Sequence, residues 1–213
     1  MVTKILEHIY RSGVVSIIRG IPEQWIGQTV SALETGGITS VEITMDTPGA
    51  LRMIEHVKTA FGEKMLVGAG TVLDPETARL ALLSGADFVL SPTLAVKVIE
   101  VCQRYSKLAI PGVLTPTEIL TAWEAGALLV KVFPARTLGP EYLKDIKGPL
   151  PQVELMPVGG VGAENASEFI RCGAHSLGVG GQLVNPSRVR DGRFEEITQK
   201  AAELAGLVRE ARK

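Results

Sequence analysis

The chain has 213 residues, with 22 Lys and Arg against 23 Asp and Glu, and these charges are spread along its length rather than gathered in runs. That balance carries no footprint for nucleic acid or an acidic membrane, and a 46% hydrophobic content describes a folded core rather than a disordered or fibrous chain. No polar or Gly/Ser-rich linker divides it, so residues 1–213 are expected to form one domain. Cys102 and Cys172 have neither metal nor redox spacing, and each is expected to be a packed residue. The N-terminal stretch has amphipathic helical spacing but no apolar signal core, and no run approaches a membrane span. The cytoplasm is the expected compartment.

In chain order, an N-terminal helix precedes eight short β-rich runs: Val14–Ile18, Ser40–Thr44, Met65–Gly68, Phe88–Ser91, Leu108–Pro111, Leu128–Phe133, Val153–Pro157 and Ser176–Val179. Helical periodicity fills the intervals, over Glu23–Thr35, Ala50–Phe61, Pro75–Ser84, Ala95–Tyr105, Pro116–Glu124, Pro140–Lys147 and Ala163–Cys172. A last amphipathic stretch spans Phe194–Arg212. Pro75, Pro116 and Pro140 suit helix starts, and Gly36, Gly85, Gly126 and Gly173 suit left-handed caps. The phrases Glu34-Thr-Gly-Gly, Leu83-Ser-Gly-Ala, Glu124-Ala-Gly-Ala and Arg171-Cys-Gly-Ala each close a helix before a strand, which marks a repeated βα unit. Eight units predict an α/β fold, a (β/α)8 TIM barrel with an additional N-terminal helix. An open doubly wound sheet fits less well, because no Gly-x-Gly-x-x-Gly follows the first strand.

Function in such a barrel sits at the C-terminal ends of strands. Lys131 interrupts the apolar run Leu-Leu-Val-Lys-Val-Phe. A buried ammonium is costly, and desolvation favours the neutral amine that attacks a carbonyl. A snorkelling lysine or a buried ion pair is the structural alternative. Period-two alternation places Glu42 and Thr44 opposite Val41 and Ile43, and Lys131 on the face of Leu129 and Phe133, so Glu42 and Lys131 are expected to meet inside the barrel. They would serve either as base and nucleophile or as a structural pair. Thr71 follows the third strand in Gly68-Ala-Gly-Thr-Val, whose glycines would admit a ligand closely. Arg19 ends the first strand, as a carboxylate or phosphate clamp or as a surface residue. Val158-Gly-Gly-Val-Gly and Gly178-Val-Gly-Gly follow the last two strands, where barrels of this kind bind phosphate, or where tight turns alone would need glycine. His8, His56 and His175 lack ligand spacing, the first two on presumed outer helices, so no metal site is expected. Trp25 and Trp123 read as helix packing.

Together, Val41-Glu-Ile-Thr, Val67-Gly-Ala-Gly-Thr-Val, Ser91-Pro, Ile110-Pro-Gly-Val, Val130-Lys-Val-Phe-Pro-Ala, Pro157-Val-Gly-Gly-Val and Val179-Gly-Gly resemble the bacterial 2-keto-3-deoxy-6-phosphogluconate (KDPG), 2-keto-4-hydroxyglutarate (KHG) and 6-phosphogalactonate (KDPGal) aldolase family over nearly the whole chain. The resemblance implies a homotrimeric, metal-independent class I aldolase that needs no cofactor and takes a small keto acid phosphate, without nucleic acid or membrane partners. It implies Lys131 as Schiff-base lysine and Glu42 as acid/base. Thr71, Pro92 and Phe133 would be pyruvyl-pocket residues, and Gly159, Gly160, Gly180 and Gly181 phosphate donors. Gln182 stands where serine is frequent. Asp46 replaces an arginine of many gluconate-type members, and Arg19 would supply the missing cation. Val158 stands where gluconate-type members carry threonine and galactonate-type members valine, which leaves stereochemical preference open. A phosphosugar isomerase or epimerase, and a noncatalytic sugar-phosphate-binding barrel, are the alternatives.

Overall fold

The computed structural model describes residues 2–213. After α1 (Val2–Ser12) come β1 (Val14–Ile18), α2 (Ile26–Thr35), β2 (Ser40–Thr44), α3 (Ala50–Phe61), β3 (Leu66–Gly70), α4 (Pro75–Leu83), β4 (Phe88–Leu90), α5 (Val96–Arg104) and β5 (Leu108–Ile110). The second half adds β6 (Gly112–Val113), α6 (Pro116–Glu124), β7 (Leu129–Val132), α7 (Ala135–Lys147), β8 (Glu154–Pro157), α8 (Ala166–Arg171), β9 (Leu177–Val179), α9 (Pro186–Arg190) and α10 (Phe194–Ala211). All the strand pairings are parallel, as expected where helices return the chain.

The strands form two sheets, β5-β4-β3-β2-β1-β9 and β6-β7-β8, that curve together into an α/β barrel-like fold. At one seam Val158 bridges Gly178, and the His175 N–H donates to the Leu155 carbonyl at 2.8 Å. At the other, the Lys131 N–H donates to the Pro111 carbonyl at 2.8 Å. The single strand expected over Leu108–Pro111 is a short strand followed by a second one. Pro111 has no N–H to continue the ladder, so β5 pairs with β4 while β6, one residue on, pairs with β7.

Alternation along each strand sorts side chains into two layers. Val41, Ile43, Val67, Val130, Val132, Leu155 and Leu177 face the helices. Val15, Phe88, Leu90, Leu108, Ile110, Leu129 and Met156 point inward and join Ile5 and Ile9 of α1. Thus α1 lies across the N-terminal end of the strands as a plug, and His8 on it bonds the Thr39 carbonyl at 3.1 Å rather than standing on the outer ring.

Helix ends follow local chemistry. Asp74 caps α4 by accepting the Thr77 N–H at 2.6 Å, with Pro75 in the first turn. Thr115 and Glu118 form a reciprocal capping box on α6. The start expected at Pro140 is only a second segment. A first helical turn begins at Ala135, and Gly139, at φ 73 and ψ 177, kinks the chain before Pro140. The five-residue helix α9 is too short to show as a period in the sequence, and the Asn185 side chain caps it by accepting the Ser187 N–H at 2.9 Å. Gly85, Gly126 and Gly173 take left-handed φ, but Gly36 has φ −78 and Gly37 takes the left-handed position instead. Gly36 is small for another reason: a Cβ there would lie 2.4 Å from the Ala201 Cβ on α10.

Candidate active site

The inward faces leave a cavity of about 630 Å³ at the C-terminal ends of the strands. Its wall contains Arg19, Glu42, Thr71, Pro92, Lys131, Phe133, Val158, Gly159, Gly160, Gly180 and Gly181, so the structure brings together every site residue singled out from the sequence. Ile17, Arg136, Val161 and Asn185 also line it, and the sequence pattern does not mark them. Nothing in their local pattern separates them from core, turn or first-turn helix residues, although Arg136 lies only five positions beyond Lys131.

Lys131 is 5% exposed and Glu42 1% exposed, each on the inward register of its strand. They are not joined by a direct salt bridge. Glu42 Oε2 is buried and has no hydrogen-bond partner among the described residues. Burial pushes the Glu42 carboxyl above the usual carboxylate range, with the Lys131 and Arg19 charges opposing the shift. Room for the carboxylate comes from Gly70, where a Cβ would meet Glu42 Oε1 at 2.5 Å. Gly68 serves the Phe88 ring in the same way, with Cε2 2.2 Å from the position of a Cβ. These two glycines make space for neighbouring side chains rather than for a ligand. The Lys131 Nζ lies 5.0 Å from the centroid of the Phe133 ring, which is 37% exposed at the mouth.

On one rim, the Arg19 guanidinium bridges two loops. It forms an ion pair with Asp46 and donates to Thr71 Oγ1 at 2.8 Å. Thr71 holds φ 57, a costly conformation for a β-branched residue, and it lines the same cavity as Lys131 and Glu42. On the other rim, Gly159 and Gly160 adopt φ 89 and 79. The N–H groups of Ala135 and Arg136 donate to the Val158 and Gly159 carbonyls, both at 2.8 Å, which ties the start of α7 to this turn. Val158 is buried and fills space that Gly178 leaves, since a Cβ on Gly178 would meet Val158 Cγ2 at 2.5 Å.

Among the described residues no three His, Cys, Asp or Glu side chains are placed to hold a metal ion, and no helix is long and apolar enough to cross a membrane. His175 is buried near Tyr10, and desolvation lowers its imidazole to about 4.

A buried lysine and a buried carboxylate thus share a barrel-like cavity with two glycine turns. Residues 5–200 match the sequence model of the family described as KDPG and KHG aldolase. The chain is 34% identical over 199 residues to the 2-dehydro-3-deoxy-6-phosphogalactonate aldolase of Escherichia coli (strain K12), covering 93% of this chain and 95% of that one. Among solved structures, native KDPGal superposes with a TM-score of 0.89 at 34% identity over 93% of this chain and 95% of that chain. The KDPG aldolase of Legionella pneumophila, with pyruvate captured at low pH as a covalent carbinolamine intermediate, superposes with a TM-score of 0.87 at 28% identity, over 93% and 97%. The chain belongs to the KDPG, KHG and KDPGal aldolase family, whose members are class I carbon–carbon lyases.

Proposed function

We propose that Lys131 is the Schiff-base nucleophile and Glu42 the acid/base of a reversible aldol cleavage. The substrate is 2-dehydro-3-deoxy-6-phosphogluconate, its galactonate epimer or 4-hydroxy-2-oxoglutarate. The products are pyruvate and glyceraldehyde 3-phosphate, or glyoxylate from the last. The observation that carries this reading is the burial of Lys131 and Glu42 on one cavity wall without a direct ion pair between them. That arrangement leaves the amine free for a carbonyl.

In the cleavage direction the neutral Lys131 amine attacks the C2 carbonyl, and the carbinolamine loses water as Glu42 donates a proton. The Glu42 carboxylate then takes the proton of the C4 hydroxyl. The C3–C4 bond breaks, its electrons pass into the protonated imine, and an enamine and an aldehyde result. Protonation at C3 and hydrolysis release pyruvate and return the amine. Thr71, oriented by Arg19, receives the pyruvyl carboxylate. Pro92 and Phe133 wall the pyruvyl group, and the turns at Gly159, Gly160, Gly180 and Gly181 offer N–H groups to the phosphate. A valine at position 158 cannot hydrogen-bond a substrate hydroxyl, which favours the galactonate epimer or a loose choice.

On the same reading, residues 1–213 form one aldolase domain in the cytoplasm. The two sheets are halves of one closed eight-stranded barrel in which β5 and β6 count as a single interrupted strand. The protein works as a homotrimer, a reading supported by the exposed Leu73, Leu80 and Leu83 on and beside α4.

Borohydride reduction in the presence of pyruvate tests the chemistry. A covalent adduct that maps to Lys131 is expected, and an adduct elsewhere, or none, overturns it. Pyruvate release from the two phosphorylated epimers and from 4-hydroxy-2-oxoglutarate, measured side by side, ranks the substrates.

A further inference from the structure

Lys131, Arg19 and Arg136 are the cations on the cavity wall. Lys131 is assigned to the chemistry and faces the field of Glu42. Arg19 is held by Asp46 and Thr71. The Arg136 guanidinium makes no hydrogen bond or salt bridge with any of the described residues, so it is the rim charge that the protein leaves uncompensated. Its place is fixed by the backbone: its N–H is tied to the Gly159 carbonyl at 2.8 Å. A Cβ on Gly160 would lie 2.5 Å from the Arg136 Cβ and 3.2 Å from its Nε, so the glycine lets the arginine stem lie directly on the turn. The N–H groups of Gly160, Val161, Gly181 and Gln182, on the two turns bordering the same space, donate to no acceptor among the described residues.

We infer that Arg136 is a specificity-determining residue that clamps the terminal phosphate monoester of the substrate and so selects phosphorylated keto acids over unphosphorylated ones. This rests on the aldolase reading above. A guanidinium presents a planar fork to two oxygens of one anion, and a phosphate monoester keeps a third oxygen for the N–H groups of the glycine turns. A carboxylate has only two oxygens and one charge, and cannot satisfy both walls at once.

The test compares the parent with Arg136→Gln and Arg136→Lys on the phosphorylated six-carbon keto acid and on the same keto acid without its phosphate. Loss of a charge-assisted contact predicts a fall of about 10- to 100-fold in kcat/KM on the phosphorylated substrate for Arg136→Gln, carried mainly by KM. The loss on the unphosphorylated acid is expected to stay under about threefold, and Arg136→Lys to recover part of the difference. Equal losses on both substrates, no loss on either, or a parent that prefers the unphosphorylated acid overturns the inference. Inorganic phosphate binding, titrated by calorimetry, reads the same clamp without turnover, and an affinity that Arg136→Gln leaves unchanged also overturns it. Pyruvate trapping by borohydride on each protein separates the two readings: a parent that traps no pyruvate removes the aldolase mechanism, while the phosphate titration still decides the arginine.

Discussion

Replacing Gly68 with alanine probes the packing directly beneath the site. Gly68 is on β3 and does not adopt the left-handed region, so alanine carries no backbone penalty there. By restricting the unfolded chain it would gain about 0.4–1 kcal/mol. Against that gain, the new methyl would meet three atoms of the Phe88 ring at 2.2, 2.5 and 2.6 Å. To regain an ordinary carbon–carbon contact of ~3.5 Å, the ring must retreat by more than about 1 Å. Phe88 is fully buried among Leu90, Leu108, Ile110 and Leu129, so that retreat displaces neighbours packed at crystal-like density. Overpacking of this kind costs about 1–3 kcal/mol, and with the partial offset the net expectation is about 1–2 kcal/mol. For a chain of this length each kcal/mol lowers Tm by about 2–4 °C, so a drop of roughly 2–8 °C follows. Urea unfolding of Gly68→Ala, Phe88→Leu and the double variant at one protein concentration measures the coupling. The smaller leucine should relieve the alanine, so the double variant is expected to be at least ~1 kcal/mol more stable than the sum of the single losses. Strict additivity would refute the packing argument.

Glu42→Gln removes the proton carrier and should lower kcat by about 10²–10⁴-fold. Because burial raises the folded Glu42 pKa, its contribution is full below the unfolded value of ~4.3 and is lost as pH rises through the folded one, so the parent should lose stability relative to the glutamine variant over that window. A pH-independent difference between their urea midpoints would contradict this. His175 has the opposite sign: its imidazole is depressed to about 4, so its contribution is full above ~6.5 and lost as pH falls towards 4. His175→Gln should flatten this acid limb by up to ~3 kcal/mol, read by thermal melts across the same range. Burial pushes the Cys102 thiol up to about 12, whereas Cys172 is only partly buried. Iodoacetamide on the native protein is therefore expected to modify Cys172 first, and equal rates by peptide mapping would be the contrary result.

The reading of strands from alternation succeeded where the pattern is local. Glu42 and Lys131 stand out because a charge at an inward position of an apolar strand has no ordinary packing role, and period two assigns the face without further knowledge. The limits also have particular causes. Pro111 divides a strand whose apolar run looks continuous, because the missing N–H acts on a neighbour that the sequence does not name. Gly68 and Gly70 look like ligand-facing glycines until the Phe88 ring and the Glu42 carboxylate occupy the space beside them. Arg136 resembles any solvated residue of a helix's first turn. Its significance arises only when the turn after β8 folds back beneath it, 24 residues further along the chain.

The inward Ile5 and Ile9 of α1, seated among the strand-borne core residues, stop the N-terminal end of the barrel-like fold, so that on the closed-barrel reading proposed above the cavity is a blind well. A molecule that reaches Lys131 must leave by the way it came. On the proposed chemistry, the aldehyde half lies nearer the rim and the pyruvyl half is bonded at depth, so the two products depart in compulsory order, aldehyde first. The covalent enamine on Lys131 sets that order, and α1 closes the far end of the well to both products.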